Sequence, residues 1–193
     1  MVTTPPSPPL SRVPPGFGAH YAAVVIVEGQ VFVKESRAPN GQVYTFYRLR
    51  LPDGSFLRLP RAHRGRPMAG LVGAHIRGTF WPRTNGQGLL EKSLRLGRIG
   101  APKGDGKGHP LMAAQGRVAF VDREEGRFGL EVRPNPGGRL KEPFTLTLWA
   151  PLSLLEGLPP VGSGVYVEGE ARLKTRRLVA KKVEPARLWD DPS

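Results

Sequence analysis

The sequence predicts an all-β chain made of two tandem copies of one five-stranded unit. Three observations carry that expectation. First, two stretches share their anchors. Gly29-Gln30-Val31-Phe32-Val33 matches Gly116-Arg117-Val118-Ala119-Phe120, and Gly73-Ala74-His75-Ile76-Arg77-Gly78 matches Gly164-Val165-Tyr166-Val167-Glu168-Gly169, at offsets of 87 and 91 residues. A repeat of about 90 residues is too long for a solenoid unit and suits a small complete domain. Second, short runs of alternating apolar and polar residues are punctuated by Gly, Pro, Asn and Asp, as in half-buried strands. Third, no long stretch has helical periodicity; only Pro67 to Leu71 and Pro151 to Leu158 read as helical turns.

In the first copy, strands are expected at about 21–34, 43–51, 55–59, 73–81 and 88–96. Asn40-Gly41 and Asp53-Gly54 mark hairpin turns, because both pairs tolerate the positive φ that tight turns require. In the second copy, strands are expected at about 112–122, 127–133, 144–149, 163–173 and 177–184. Each helical turn falls between the third and fourth strands. Residues 1–18 read as a disordered proline-rich arm, 19–99 as the first domain, 100–110 as a flexible Gly/Lys linker, 111–187 as the second domain and 188–193 as a tail.

The net charge of +13 points to a polyanionic partner, and it is unevenly placed: residues 1–100 carry a net +10 and residues 101–193 a net +3. Phosphate attraction therefore belongs mainly to the first copy. Side chains alternate along a strand, so Tyr47, Leu49 and Leu51 are expected to line the core while Tyr44, Phe46, Arg48 and Arg50 face outward. Across the Asp53-Gly54 turn, Leu57 and Leu59 read as core, with Phe56 and Arg58 on the outward surface beside Arg48 and Arg50. Rings interleaved with guanidinium groups are what a base-stacking platform beside a phosphate track requires. Arg61, Arg64 and Arg66 extend the basic run into the following connection, and Trp81 and Arg83 stand in the loop before the fifth strand. In the second copy, Phe144, Leu146 and Leu148 read as core. Thr145, Thr147 and Trp149 then face outward, with Trp149 a candidate interface residue and the domain itself structural or pairing in role.

The order of five strands with a long first strand and a helical turn between the third and fourth resembles that of OB-fold single-stranded-DNA-binding proteins. The resemblance covers both copies, about four-fifths of the chain. It implies two tandem OB-fold-like Greek-key barrels. It also implies a largely sequence-independent single-stranded-DNA-binding protein of replication, repair or recombination, with Tyr44, Phe46, Phe56 and Trp81 stacking bases and the arginines neutralising phosphates. The opening hairpin of the second copy, Gly116 to Gly129, is similar to that of cold-shock domains. The tail Leu188-Trp189-Asp190-Asp191-Pro192-Ser193 resembles the acidic partner-recruiting peptide of bacterial single-stranded-DNA-binding proteins, without its terminal aromatic. That leaves open a protein partner through the tail, against Trp189 folding back onto the second domain. RNA in place of DNA, a non-catalytic protein adaptor and homo-oligomerisation also stay open.

Catalysis is not expected. His20, His63, His75 and His109 are scattered without metal-ligand spacing, and there is no cysteine, phosphate loop, dinucleotide fingerprint or nucleophile elbow. No cofactor and no metal is expected. The run Met1 to Gly18 has Pro-Pro steps where a signal or membrane segment would need an apolar stretch, so a cytoplasmic protein with no membrane partner is expected.

Overall fold

Strand β1 (Ala22–Arg37) organises the molecule because three other strands pair with it. The computed structural model describes residues 16–104 and 109–193; the proline-rich arm before residue 16 and linker positions 105–108 lie outside them. Strand β2 (Val43–Arg50) pairs with residues 30–37 of β1, and β3 (Phe56–Leu59) pairs with β2. A small separate hairpin, β4 (Ala62–His63) with β5 (Arg66–Pro67), leads into a 3-10 turn at Met68–Leu71. Strand β6 (His75–Trp81) pairs with residues 25–30 of β1, and β7 (Arg95–Gly100) pairs with β6. The second half supplies β8 (Leu111–Asp122), β9 (Arg127–Val132), β10 (Phe144–Trp149), helix α1 (Leu152–Glu156), β11 (Gly164–Arg172) and β12 (Arg177–Pro185).

Except for β4 and β5, the strands join one ten-stranded sheet. The chain is mostly β, with the 3-10 turn and α1 each between a third and a fourth long strand. In the C-terminal set the pairings run β8–β9–β10–β12–β11 and return to β8, with β10 and β12 parallel at Trp149 and Val179. The N-terminal set forms an unclosed path, β3–β2–β1–β6–β7.

The local reasons are readable. Asn40 accepts the Gln42 amide with Gly41 at φ 81°, and Asp53 accepts the Ser55 amide with Gly54 at φ 83°, so both hairpins are pinned by side-chain turns. Gly29 stands where a Cβ would lie 2.4 Å from the Arg50 carbonyl oxygen, and Gly116 where one would lie 2.3 Å from that of Glu131. The repeated glycine is thus a close-approach position in each set, which makes Arg50 and Glu131 equivalent.

The two sets meet through their first strands. Val25 pairs with Met112, its own equivalent at the 87-residue offset, while Val24 faces Ala113 and Ile26 faces Leu111. Equivalent residues therefore exchange places about the Val25–Met112 pair, which defines a local pseudo-two-fold axis between the copies. Because β6 occupies one edge of β1 over 25–30, β8 and β2 must share the other edge, and Gly29 lies between them. Buried apolar residues of both sets form one continuous cluster, from Val27, Leu49 and Phe80 to Phe128, Leu148 and Leu178.

Three expectations are corrected. The fifth strand, expected at 88–96, is Arg95–Gly100. Residues 84–90 instead form a loop closed by a Thr84–Leu90 bridge. The Leu90 amide donates to the Arg176 carbonyl at 2.6 Å, so the loop docks on the C-terminal set. Buried Leu90 at the loop's end, with buried Leu94 after it, gives 88–96 the apolar signature of a strand. Thr147, expected to face solvent, is 7% exposed because that loop covers it: its amide donates to Thr84 Oγ1 at 2.9 Å. Finally, part of the expected flexible linker is held, since the amides of Lys103 and Gly104 donate to the Glu28 carboxylate at 2.9 and 3.1 Å.

Candidate nucleic-acid interface

The outer surface of β1, β2 and β3 carries the aromatic and basic side chains anticipated for it. Strand register sets its rows: Gln30, Arg50 and Phe56 lie abreast, then Phe32, Arg48 and Arg58, then Lys34 and Phe46, then Ser36 and Tyr44. The alternate positions Val31, Leu49, Leu57 and Leu59 are buried, as the alternation requires. Phe56 is 47% exposed, Tyr44 38% and Phe32 36%, so large rings stand in solvent. Phe46 and Arg48 are half-buried.

Each phenylalanine is covered by a guanidinium from a neighbouring strand, one step along the diagonal. Arg48 lies 4.0 Å from the Phe56 centroid, Arg58 5.0 Å from Phe46 and Arg50 5.2 Å from Phe32. These three arginines have no carboxylate partner among the described residues, and each stack on an exposed ring is worth about 0.5–1 kcal/mol. Four cations, Lys34, Arg48, Arg50 and Arg58, share this face. The strand carboxylate Glu35 faces Thr45 in the opposite-parity rows, and the turn residue Asp53 is bound by Ser55.

The other predicted residues are placed elsewhere. Arg61, Arg64 and Arg66 are exposed on the β4–β5 hairpin, which spans the gap between the β3 and β7 ends of the unclosed path. Arg64, at φ 49°, reaches the Gly97 carbonyl of β7 at 3.4 Å. Trp81 ends β6 beside β7, with Arg95 5.1 Å from its ring. Arg83 lies flat on Phe144 of β10 at 3.3 Å, and burial lowers its pKa, partly offset by Glu91. Because Phe80 pairs with Val25, Trp81 is level with Val24, roughly 25 Å along β1 from Phe32 at the strand rise of about 3.3 Å per residue. Sequence reasoning missed Phe32 and Lys34 on the platform; their even positions, alternating with Val31 and Val33, are the signal that places them there.

The equivalent surface of the C-terminal set has lost Phe46, Phe56 and all three arginines of the platform, and keeps one ring: Phe120, 37% exposed, pairs with Gly129 and so stands in the place of Phe32. The shared glycine contact and the strand registers put Glu131 in the place of Arg50, Gly129 for Arg48, Thr145 for Phe56 and Thr147 for Arg58. Trp149 does mark an interface, an internal one. Its indole N–H donates to the Gly88 carbonyl at 2.9 Å, and Arg177 lies 4.0 Å from its ring. Much of the basic stretch 172–182 is engaged: Arg172 and Lys181 with Glu170, Lys182 with Glu184, and Arg176 with the Leu90 carbonyl.

The tail acids are also engaged. Arg117 bonds Asp190 at 2.8 Å and Asp191 at 2.6 Å, and Arg133 bonds Asp190 at 3.1 Å. The Tyr21 hydroxyl donates to Asp190 at 2.8 Å. Burial and the Asp190 bond push the Tyr21 phenol up to about 12. The buried anchor of the folded-back tail is Leu188; Trp189 is 46% exposed.

No protein-family model matches the chain, and no curated protein matches it. Solved structures do. The wild-type single-stranded DNA binding protein from Thermus aquaticus is similar, with a TM-score of 0.53 and 16% identity over 91% of this chain and 98% of that one. A deletion mutant of the same protein gives a TM-score of 0.51 and 19% identity over 90% of this chain and 98% of that one. The resemblance to OB-fold single-stranded-DNA-binding proteins is therefore found, and at these identities it is a likeness of fold. No described helix is long and apolar enough to cross a membrane.

Proposed function

We propose that the chain is a non-catalytic single-stranded-DNA-binding protein that holds its ligand on the outer face of β1, β2 and β3. In this reading the two strand sets are OB-type barrels, the C-terminal one closed through β10 and β12 and the N-terminal one left unclosed between β3 and β7. The observation that carries the proposal is the grid of solvent-facing Phe32, Phe46 and Phe56, each beneath an arginine that has no carboxylate partner among the described residues.

Magnitudes favour ligand entry. Displacing a guanidinium from an exposed ring costs about 0.5–1 kcal/mol, whereas stacking a base there returns about 1–3 kcal/mol. The displaced arginine gains a phosphate oxygen. Every base has a π face, so this surface binds with little sequence preference, which fits a role in replication, repair or recombination. A stacked duplex offers no free base faces to the rings, so single strands are preferred.

Titration of the full chain with fluorescent single- and double-stranded DNA at two ionic strengths tests the reading. Four face cations predict a log–log salt slope of roughly −3 at about 0.7 per phosphate on a single strand. Equal affinity for duplex, or no binding at low salt, overturns the proposal. Unlabelled RNA of matched sequence, added as competitor, separates the two sugars.

A further inference from the structure

The seam between the two strand sets carries a second basic surface, remote from the platform. A groove of about 520 Å³ opens there. Its floor is the start of β1, from Ala22 to Val24; Trp81, Arg83 and Arg95 form the N-terminal wall, and Arg139, Lys141 and Phe144 the C-terminal wall. Among the described residues no carboxylate lines it. Arg133 also borders the groove, but Glu131 and Asp190 neutralise it, and Arg83 is spent on Phe144 with Glu91 nearby. Arg95, Arg139 and Lys141 have no ion pair among the described residues, and Arg139 and Lys141 are exposed.

We propose that this junction groove is a second contact for the same single strand: Trp81 stacks a base, and Arg95, Arg139 and Lys141 hold phosphates. The inference rests on the single-strand reading of the platform and adds to it a role for the C-terminal set, whose own β8–β9–β10 face is partly covered by the 84–90 loop. The chemistry selects the occupant. Three unneutralised cations around a tryptophan reproduce the charge-and-ring pairing of the platform in a concave form, and a phosphodiester strand supplies both an anion and a π face at each step. The groove lies roughly 25 Å from Phe32 along β1, so a strand of sufficient length reaches both surfaces.

The test uses the full chain, the double variant Arg139→Glu with Lys141→Glu, and fluorescent oligothymidylates of about 8 and about 30 nucleotides, chosen against OB-fold site sizes of about 4–16 nucleotides. The expected result is at least a tenfold loss of affinity for the long oligomer. Its salt slope should fall by about 1.4, two phosphate contacts at about 0.7 each, while the short oligomer loses no more than about twofold. Unchanged affinity and slope for the long oligomer overturn the groove and leave the platform standing, with an acidic protein as the groove's remaining class of partner. Equal losses for both lengths also overturn it, because they signify a diffuse field effect. Failure of the wild-type chain to bind either oligomer overturns the platform reading and the groove together. As a second readout, Trp149→Phe with Trp189→Phe leaves Trp81 as the single tryptophan. Its fluorescence should be quenched by the long oligomer, and an unaltered signal at saturation counts against the groove.

Discussion

Replacing Phe46 with alanine separates stacking from charge on the platform. The ring is half-buried, and Arg58 lies 5.0 Å from its centroid. In the proposed function its removal deletes a base-stacking surface worth about 1–3 kcal/mol, which at about 1.4 kcal/mol per decade is an expected loss of roughly five- to 150-fold in affinity. The four cations of the face are untouched, so the salt slope should stay at its wild-type value. The neutralising substitution Arg58→Gln should do the reverse: the slope falls by about 0.7 while the stacking surface remains. In Phe46→Ala stability should fall by about 1–2 kcal/mol, because the half-buried ring loses part of its apolar burial as well as the cation–π contact. For a chain of this size that corresponds to a melting shift of about 2–8 °C. The assay is fluorescence anisotropy with a labelled single strand across a salt series, with thermal unfolding as the control for folding. Unaltered affinity in Phe46→Ala would refute stacking, and a slope change in that variant would show that the ring acts through its arginine.

Two further perturbations address the frame that holds the platform. Gly29→Ala places a Cβ 2.4 Å from the Arg50 carbonyl oxygen and should cost about 1–3 kcal/mol as overpacking while disturbing the platform; Gly116→Ala, at 2.3 Å from Glu131, should destabilise similarly yet leave single-strand affinity intact in the folded fraction. Urea unfolding with anisotropy checks both, and wild-type stability in either refutes the close-approach argument. The tail clamp predicts the pH profile. At Asp190, hydrogen bonds from Tyr21, Arg117 and Arg133 outweigh burial and lower the pKa; at Asp191 the Leu188 amide and Arg117 do so. Lowered folded values contribute stability that is present above the unfolded carboxylate pKa of about 3.9 and lost as pH falls through the folded values. At the alkaline end, the Tyr21 contribution is complete below its unfolded value of about 10 and is lost as pH rises toward about 12. Asp190→Asn should flatten both limbs in urea midpoints measured across pH, and an unchanged profile refutes the clamp.

The parts of the molecule legible in the sequence are those decided locally. Period-two alternation through Val43–Leu51, together with the Asp53-Gly54 turn, suffices to put Phe46, Arg48, Phe56 and Arg58 on one face, because register across a tight hairpin follows from the turn. What escaped depends on distant pairing. Buried Leu90 and Leu94 imitate a strand in the sequence, yet Leu90 ends a loop that bonds the Arg176 carbonyl of the C-terminal set. Trp81 and Arg83 follow one another in sequence close to the other candidates. It is the β1–β8 junction and Phe144 that carry them into a separate groove. Asp190 and Asp191 look like a free acidic tip until Arg117 and Arg133 are brought beneath them.

The pseudo-two-fold axis explains why only one platform is open. Two equal copies related about Val25 and Met112 would present two equivalent outer faces and two equivalent loops between fourth and fifth strands. Here the loops are unequal. The N-terminal one is long enough for Thr84 to bond the Thr147 amide and Gly88 the Trp149 indole, whereas its counterpart between β11 and β12 is confined to Leu173–Arg176. The long loop partly covers the C-terminal face at Thr147, where an arginine would collide with it, while Thr145 stays exposed. A Cβ on Gly88 alone would lie 2.8 Å from the Thr147 methyl. The short loop leaves the N-terminal face uncovered, and charge follows access: arginines that would be buried without a partner on the covered face remain hydrated on the open one. Lys34, Arg48, Arg50 and Arg58 on the open face are four of the 14 cations of residues 1–100.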